Sequence, residues 1–169
     1  MDSAIGTVEI RPLKKDEVEE LLGLWKEFMN DPSAIDEPIP THDENLRRQR
    51  EFVEKLMGED PGQVLVAYDG KELVGYVMFQ NEIKPPLEVA HKVGYVMDLY
   101  VKPSHRRQGV GEQLLRSCLD RIRSKGVTHI QLRVWNANET AIALYRKLGF
   151  KDRMMTMQLV NSAHSARAL

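Results

Sequence analysis

Cysteine is almost missing: Cys118 is the only one in 169 residues. An internal disulfide is therefore excluded, and so is a zinc site built on cysteines. Net charge is missing as well. Charged residues make up 29% of the chain yet leave a formal balance of −1, so bulk charge argues for neither a nucleic-acid partner nor an anionic membrane surface. No apolar run approaches the ~20 residues that span a bilayer, and no membrane association is expected. The opening MDSAIGTVEIRP lacks the basic segment followed by an apolar one that marks a signal peptide, so the expected location is cytoplasmic. No His/Asp/Glu spacing suggests a metal site, and His91 and His105 read as surface histidines.

What is present reads as one domain over 1–160, long enough to bury a real core, with 161–169 as a small, polar, flexible tail. Val8 and Ile10 alternate in a first strand over 7–13. A helix then carries Val18, Leu21, Leu22, Trp25, Phe28 and Met29 on one face, with Asp16 and Glu19 as a capping box. After a proline-rich loop (31–40), Thr41 and Glu44 start a second helix that turns Leu46, Val53, Leu56 and Met57 inward. Two strands, 63–68 and 72–83, flank an Asp69-Gly70 turn, and KPPLE breaks the chain after them. A fourth strand, 92–103, ends at Pro103. Then come a helix with Val110, Leu114, Leu115, Cys118, Leu119 and Ile122 aligned, a strand over 129–135, a helix closed by Gly149, and a last strand over 153–160. The order predicts a mixed α/β sheet with helices on its faces.

The stretch HRRQGVGEQLL (105–115) sits between a strand and a helix. A helix N-terminus presents unsatisfied N–H donors and partial positive charge to an anion. Gly109 and Gly111 remove side chains that would hold a phosphate away, Arg106 and Arg107 add attraction, and Gln108 adds a donor. A bare Gly-x-Gly is equally compatible with a tight turn that binds nothing. The dinucleotide fingerprint fails because Leu114 stands at its third glycine, and no Gly-Lys-Ser/Thr marks a nucleoside-triphosphate loop. The five arginines of 105–125 could be read as a nucleic-acid helix, but they are interrupted by Glu112 and Asp120 with no aromatic platform or compensating net charge, so that reading ranks last and no nucleic-acid partner is expected.

Arg-x-x-Gly-x-Gly after LYVKP, followed one strand later by NANETAIALYRKLGFKD (136–152), resembles the GNAT N-acetyltransferase superfamily. Asn138, Ala141, Tyr145, Gly149 and Phe150 fill each position of that family's second motif, and the likeness is sharp over 93–152. It implies a mixed, mostly antiparallel sheet of six to seven strands, flanked by helices on both faces and splayed where acetyl-CoA lies. It further implies direct acetyl transfer from acetyl-CoA to a primary amine, small molecule or protein, in a ternary complex without metal. The backbone of Leu99, Tyr100 and Val101 would pair with pantetheine amides. The turn of Arg106, Arg107, Gln108, Gly109, Val110, Gly111 and Glu112 would take the pyrophosphate. Asn138 would hold the donor from the other side or simply cap its helix.

Tyr145 is the candidate general acid for the departing thiolate, since thiol and phenol have pKa values of about 8.5 and 10. A neutral attacking amine calls for a base, with Asp98 and Glu82 as candidates; Met97 stands where some relatives carry a glutamate. Asp36 and Glu37 are candidates for attracting a cationic acceptor, or are solvated loop charges. Cys118 reads as core, against an acyl-cysteine route. The alternative to catalysis is an acyl-CoA-binding sensor or scaffold. The resemblance also leaves a homodimer open.

Overall fold

The structure is a computed structural model that describes residues 8–37, 39–84 and 91–159. Thr7, most of the KPPLE break and the 161–169 tail lie outside the described residues. Strand β1 (Glu9–Pro12) leads into helix α1 (Val18–Met29), which buries Val18, Leu21, Leu22, Trp25 and Met29 as the helical spacing predicts. The entry to α1 differs from the expected Asp16–Glu19 box. Glu17 is the anchor: its carboxylate accepts from the Lys14 N–H at 3.0 Å and from Arg11 at 2.8 and 2.6 Å. Arg11 on β1 selects the residue it can reach, and a short 3-10 turn (Lys15–Glu17) precedes the helix. Helix α2 (Asp43–Glu59) likewise starts from His42, whose Nδ1 accepts from the Asn45 N–H at 3.4 Å. Glu44, the partner expected for Thr41, is occupied by Arg47 and Arg48.

Strands β2 (Val64–Asp69), β3 (Glu72–Ile83), β4 (Val93–Val101) and β5 (His129–Leu132) complete a sheet in the order β1-β2-β3-β4-β5. All neighbours are antiparallel except β4 and β5, which are parallel and therefore need a crossover. Helix α3 (Val110–Ser124) supplies it. Helix α4 (Glu139–Lys147) follows β5 and ends before Gly149, at φ +93°.

The sheet divides two cores. Val64, Val66, Tyr68, Tyr76, Met78 and Tyr100 pack against α1 and α2. Leu65, Ala67, Val77, Phe79 and Val96 pack with Leu114, Leu115, Cys118, Ile122 and Tyr145. This is the pleat's alternation made into two layers, and helices cover both faces as expected.

Two strand expectations are corrected. Among the described residues the sheet has five strands, because 151–159 forms none: Met154, Met155, Met157 and Leu159 stand 76–90% exposed and pair with neither edge of the sheet. Strand β5 stops at Leu132 instead of Trp135, and its pairing with β4 ends there too.

Candidate active site

Strand β4 outruns its neighbour. Pairing with β5 ends at Val96–Leu132, while β4 continues against β3 to Val101. Just before the unpaired part lies a bulge: Met78 faces Asp98 and Phe79 faces Val96, so Met97 is the extra residue. The bulge keeps Asp98 on the α1–α2 side, near Tyr76, while Leu99 returns to the α3–α4 side. Beyond the strand, the Lys102 N–H donates to the Val74 carbonyl at 2.8 Å. Alternation then directs the backbone groups of Leu99 and Val101 to the open outer edge. Tyr100 instead contributes a buried ring, 5.2 Å from that of Phe28.

The turn after β4 contains two left-handed residues, Arg107 at φ +63° and Gly109 at φ +81°. Such a sequence of conformations curves successive N–H groups around a concavity that suits an anion. Gly109 is required by its own backbone. Gly111 is not: a Cβ there would lie 3.6 Å from Val101 and 3.7 Å from Leu144, ordinary contact distances. Packing around the first turn of α3 therefore does not itself require glycine at this position. Val110 is buried and seats the helix. Gln108 donates to the Ser104 carbonyl at 3.0 Å. Glu112 accepts from Arg116 at 2.8 Å and from Lys147 at 2.5 Å, tying α3 to α4. The guanidinium of Arg106 turns away from the turn, towards Asp31, Ser33 and the Val101 carbonyl.

Tyr145 projects from α4 into the second core, 9% exposed and edge-on to Phe150. Burial pushes its hydroxyl up to about 12, with the charge of Asp98 adding to the effect. The phenol is therefore protonated at any ordinary pH. Asp98 moves towards neutrality: burial pushes its carboxyl up to about 6, against a hydrogen bond from the Tyr76 hydroxyl at 3.4 Å. The Asp98 charge is felt at Tyr145, so a protonated phenol and a carboxylate pushed up to about 6 act on one another although their side chains lie towards different cores. Cys118 is fully buried and burial raises its thiol, as its place on the apolar face of α3 implies. Asn138 caps α4, accepting the Ala141 N–H at 3.0 Å and donating to the Ala34 carbonyl at 3.3 Å.

Glu82 sits apart, opposite the start of β4, in an exposed pair with Lys92 at 3.1 Å. Asp36 and Glu37 are exposed in the α1–α2 loop. Among the described residues there is no group of three or more His, Cys, Asp or Glu side chains that would hold a metal, and no helix long and apolar enough to cross a membrane. Sequence reasoning missed Tyr76. Its signal was a tyrosine inside an apolar strand run, whose buried hydroxyl requires a partner.

The chain matches the Acetyltransferase (GNAT) family over residues 4–150. A probable N-acetyltransferase of Arabidopsis thaliana is 25% identical over 147 residues, covering 86% of this chain and 36% of the relative. An N-alpha-acetyltransferase of Sulfurisphaera tokodaii is 34% identical over 108 residues, covering 60% of this chain and 63% of the relative. The chain thus spans less than two thirds of either relative's length. Among solved structures, AAC(6')-Iy in complex with the bisubstrate analogue CoA-S-monomethyl-acetylneamine superposes with a TM-score of 0.68 at 17% identity, covering 92% of this chain and 98% of that one. A predicted acetyltransferase of Clostridium acetobutylicum with acetyl-CoA reaches 0.72 at 16% identity, covering 94% and 99%. At these identities the likeness is one of fold.

Proposed function

The chain belongs to the Acetyltransferase (GNAT) family, and from that premise we propose that it transfers an acetyl group directly from acetyl-CoA to a primary amine. The observation that carries this reading is the outer edge of β4, which among the described residues has no strand beside it beyond Val96 and runs into a turn where packing does not require glycine at 111. A chain with amides of its own can pair along such an edge, and Leu99 offers both a donor and an acceptor there. The turn from Arg107 to Gly111, at the N-terminus of α3, suits the diphosphate.

The chemistry then follows from two side chains. The amine nitrogen forms a bond to the thioester carbonyl carbon, and the carbon–sulfur bond breaks. Tyr145 gives its proton to the departing sulfur, and the amine's surplus proton passes to Asp98, directly or through water. An aspartate raised to about 6 is ionised at pH 7.4 and yet a stronger base than an exposed one. The buried Cys118 supports direct transfer over an acyl-cysteine relay.

The test is release of free CoA thiol from acetyl-CoA over a panel of polyamines, amino sugars and lysine- or N-terminal peptides, with mass identification of the acetylated product. Amine-dependent release supports the reading. Tight CoA binding with no transfer to any member would replace the enzyme with a CoA-binding sensor.

A further inference from the structure

We propose that Arg106 is a positioning residue that latches the α1–α2 loop across the opening between β4 and β5, joining the donor and acceptor sides of the site; this rests on the function proposed above. All three guanidinium nitrogens are committed. Nε donates to the Val101 carbonyl at 2.9 Å, one terminal nitrogen donates to Ser33 Oγ at 3.0 Å, and the other pairs with Asp31. The guanidinium carbon also lies 5.4 Å over the Tyr100 ring.

The loop end of this contact is built as firmly. Asp31 accepts from the Ser33 N–H at 2.9 Å and its hydroxyl at 2.6 Å, while its carbonyl takes the N–H groups of Ala34 and Ile35, both at 3.0 Å. Ala34 and Ile35 are buried. Burial works against the Asp31 charge, yet the hydrogen bonds from Ser33 and Arg106 hold its carboxyl below the usual range.

A second attachment comes from the far side of the opening, where Asn138 at the start of α4 donates to the Ala34 carbonyl. The two ties join residues 75 and 104 positions apart. Arg106 follows β4 and Asn138 follows β5, so the loop is pinned at both banks of the gap. If the guanidinium left for a phosphate, Asp31 would stay half-sealed without its cation, an unfavourable state. The phosphate charge is therefore met by Arg107 and backbone donors, and Arg106 sets where the 31–37 wall stands.

The experiment compares wild type with Arg106→Lys, Asp31→Asn and the charge swap Asp31→Arg/Arg106→Asp in the full chain. It reads amide hydrogen exchange without ligand and CoA affinity by titration calorimetry. Both single variants are expected to speed exchange in 31–37 about tenfold or more and to leave the CoA Kd within about threefold. The swap is expected to restore most of the protection. Arg106→Lys weakening CoA about tenfold or more with exchange unchanged would overturn the proposal and return the side chain to the phosphate. A folded swap variant with no restored protection would overturn it too. If wild type binds no CoA, the functional reading fails, and the exchange data still decide the latch.

Discussion

From Val93 to Val96, strand β4 is paired on both sides, with β3 and with β5; from Met97 to Val101 the only strand beside it among the described residues is β3, and its outer side meets the Arg106 side chain at the Val101 carbonyl. The first half is packed to its limit, for a Cβ on Gly94 would lie 2.6 Å from Ile122 and 3.2 Å from the Asn81 carbonyl. The second half carries a bulge, a carboxylate pushed towards neutrality and, on its outer side, backbone groups that no strand among the described residues meets. One strand thus serves folding at one end and holds reactive groups at the other. The bulge at Met97 is the border. A regular register would have turned Asp98 to the opposite face, away from Tyr76.

The contrast is tested most severely at Tyr145. Tyr145→Phe should lower kcat by ~10²-fold while CoA affinity, read by titration, barely moves; an unchanged rate removes the phenol from the chemistry. Because the hydroxyl sits at about 12, wild type should also show no alkaline loss of rate from this group up to pH of about 10.

In the paired half, Gly94→Ala should cost about 1–3 kcal/mol of stability through overpacking, measured by denaturant unfolding. The folded remainder should keep the wild-type pH–rate profile. Loss of activity without loss of stability would erase the border.

In the open half, Asp98→Asn should do the reverse. Turnover at pH 7.4 should drop about tenfold, and the acid limb near pH 6 should vanish. Stability should rise. The folded-state pKa of Asp98 lies above its unfolded value, so the folded state binds the extra proton between the two. Its stability contribution is therefore full at low pH, is lost as pH climbs through about 6, and is absent at pH 7.4. Asparagine removes that penalty. A destabilised Asp98→Asn at pH 7.4 would contradict the assigned environment.

The smallest effect is expected at Tyr76→Phe. The hydroxyl favours the ionised form of Asp98, so its removal should move the acid limb to higher pH by less than about one unit with the fold intact. A limb that stays put would mean that the 3.4 Å contact is idle.

Much of this was legible in the sequence, and the physical reason is locality. The apolar faces of α1 and α3, the Asp69-Gly70 turn and the closing Gly149 are each fixed by residues within a few positions, and each stands in the structure as read. The motif also marked β4 and its turn. What stayed hidden depends on long-range meetings. Arg106 in its motif reads as a phosphate ligand, and only the fold brings Asp31 to it. The cap of α1 moved to Glu17 because Arg11 arrives from another element. The alternation of 153–160 is genuine, but a strand also needs an edge to pair with, and sequence carries no record of which edge is free.

Cys118, sealed in the second core, has a practical consequence for watching the loop move. As the only thiol in the chain, it leaves the molecular surface silent towards maleimides. A Glu37→Cys variant, at an exposed position outside the Arg106–Asp31–Ser33 contact, would accept a single fluorophore or spin label on the 31–37 wall, so that its opening could be followed in real time without first removing a native cysteine.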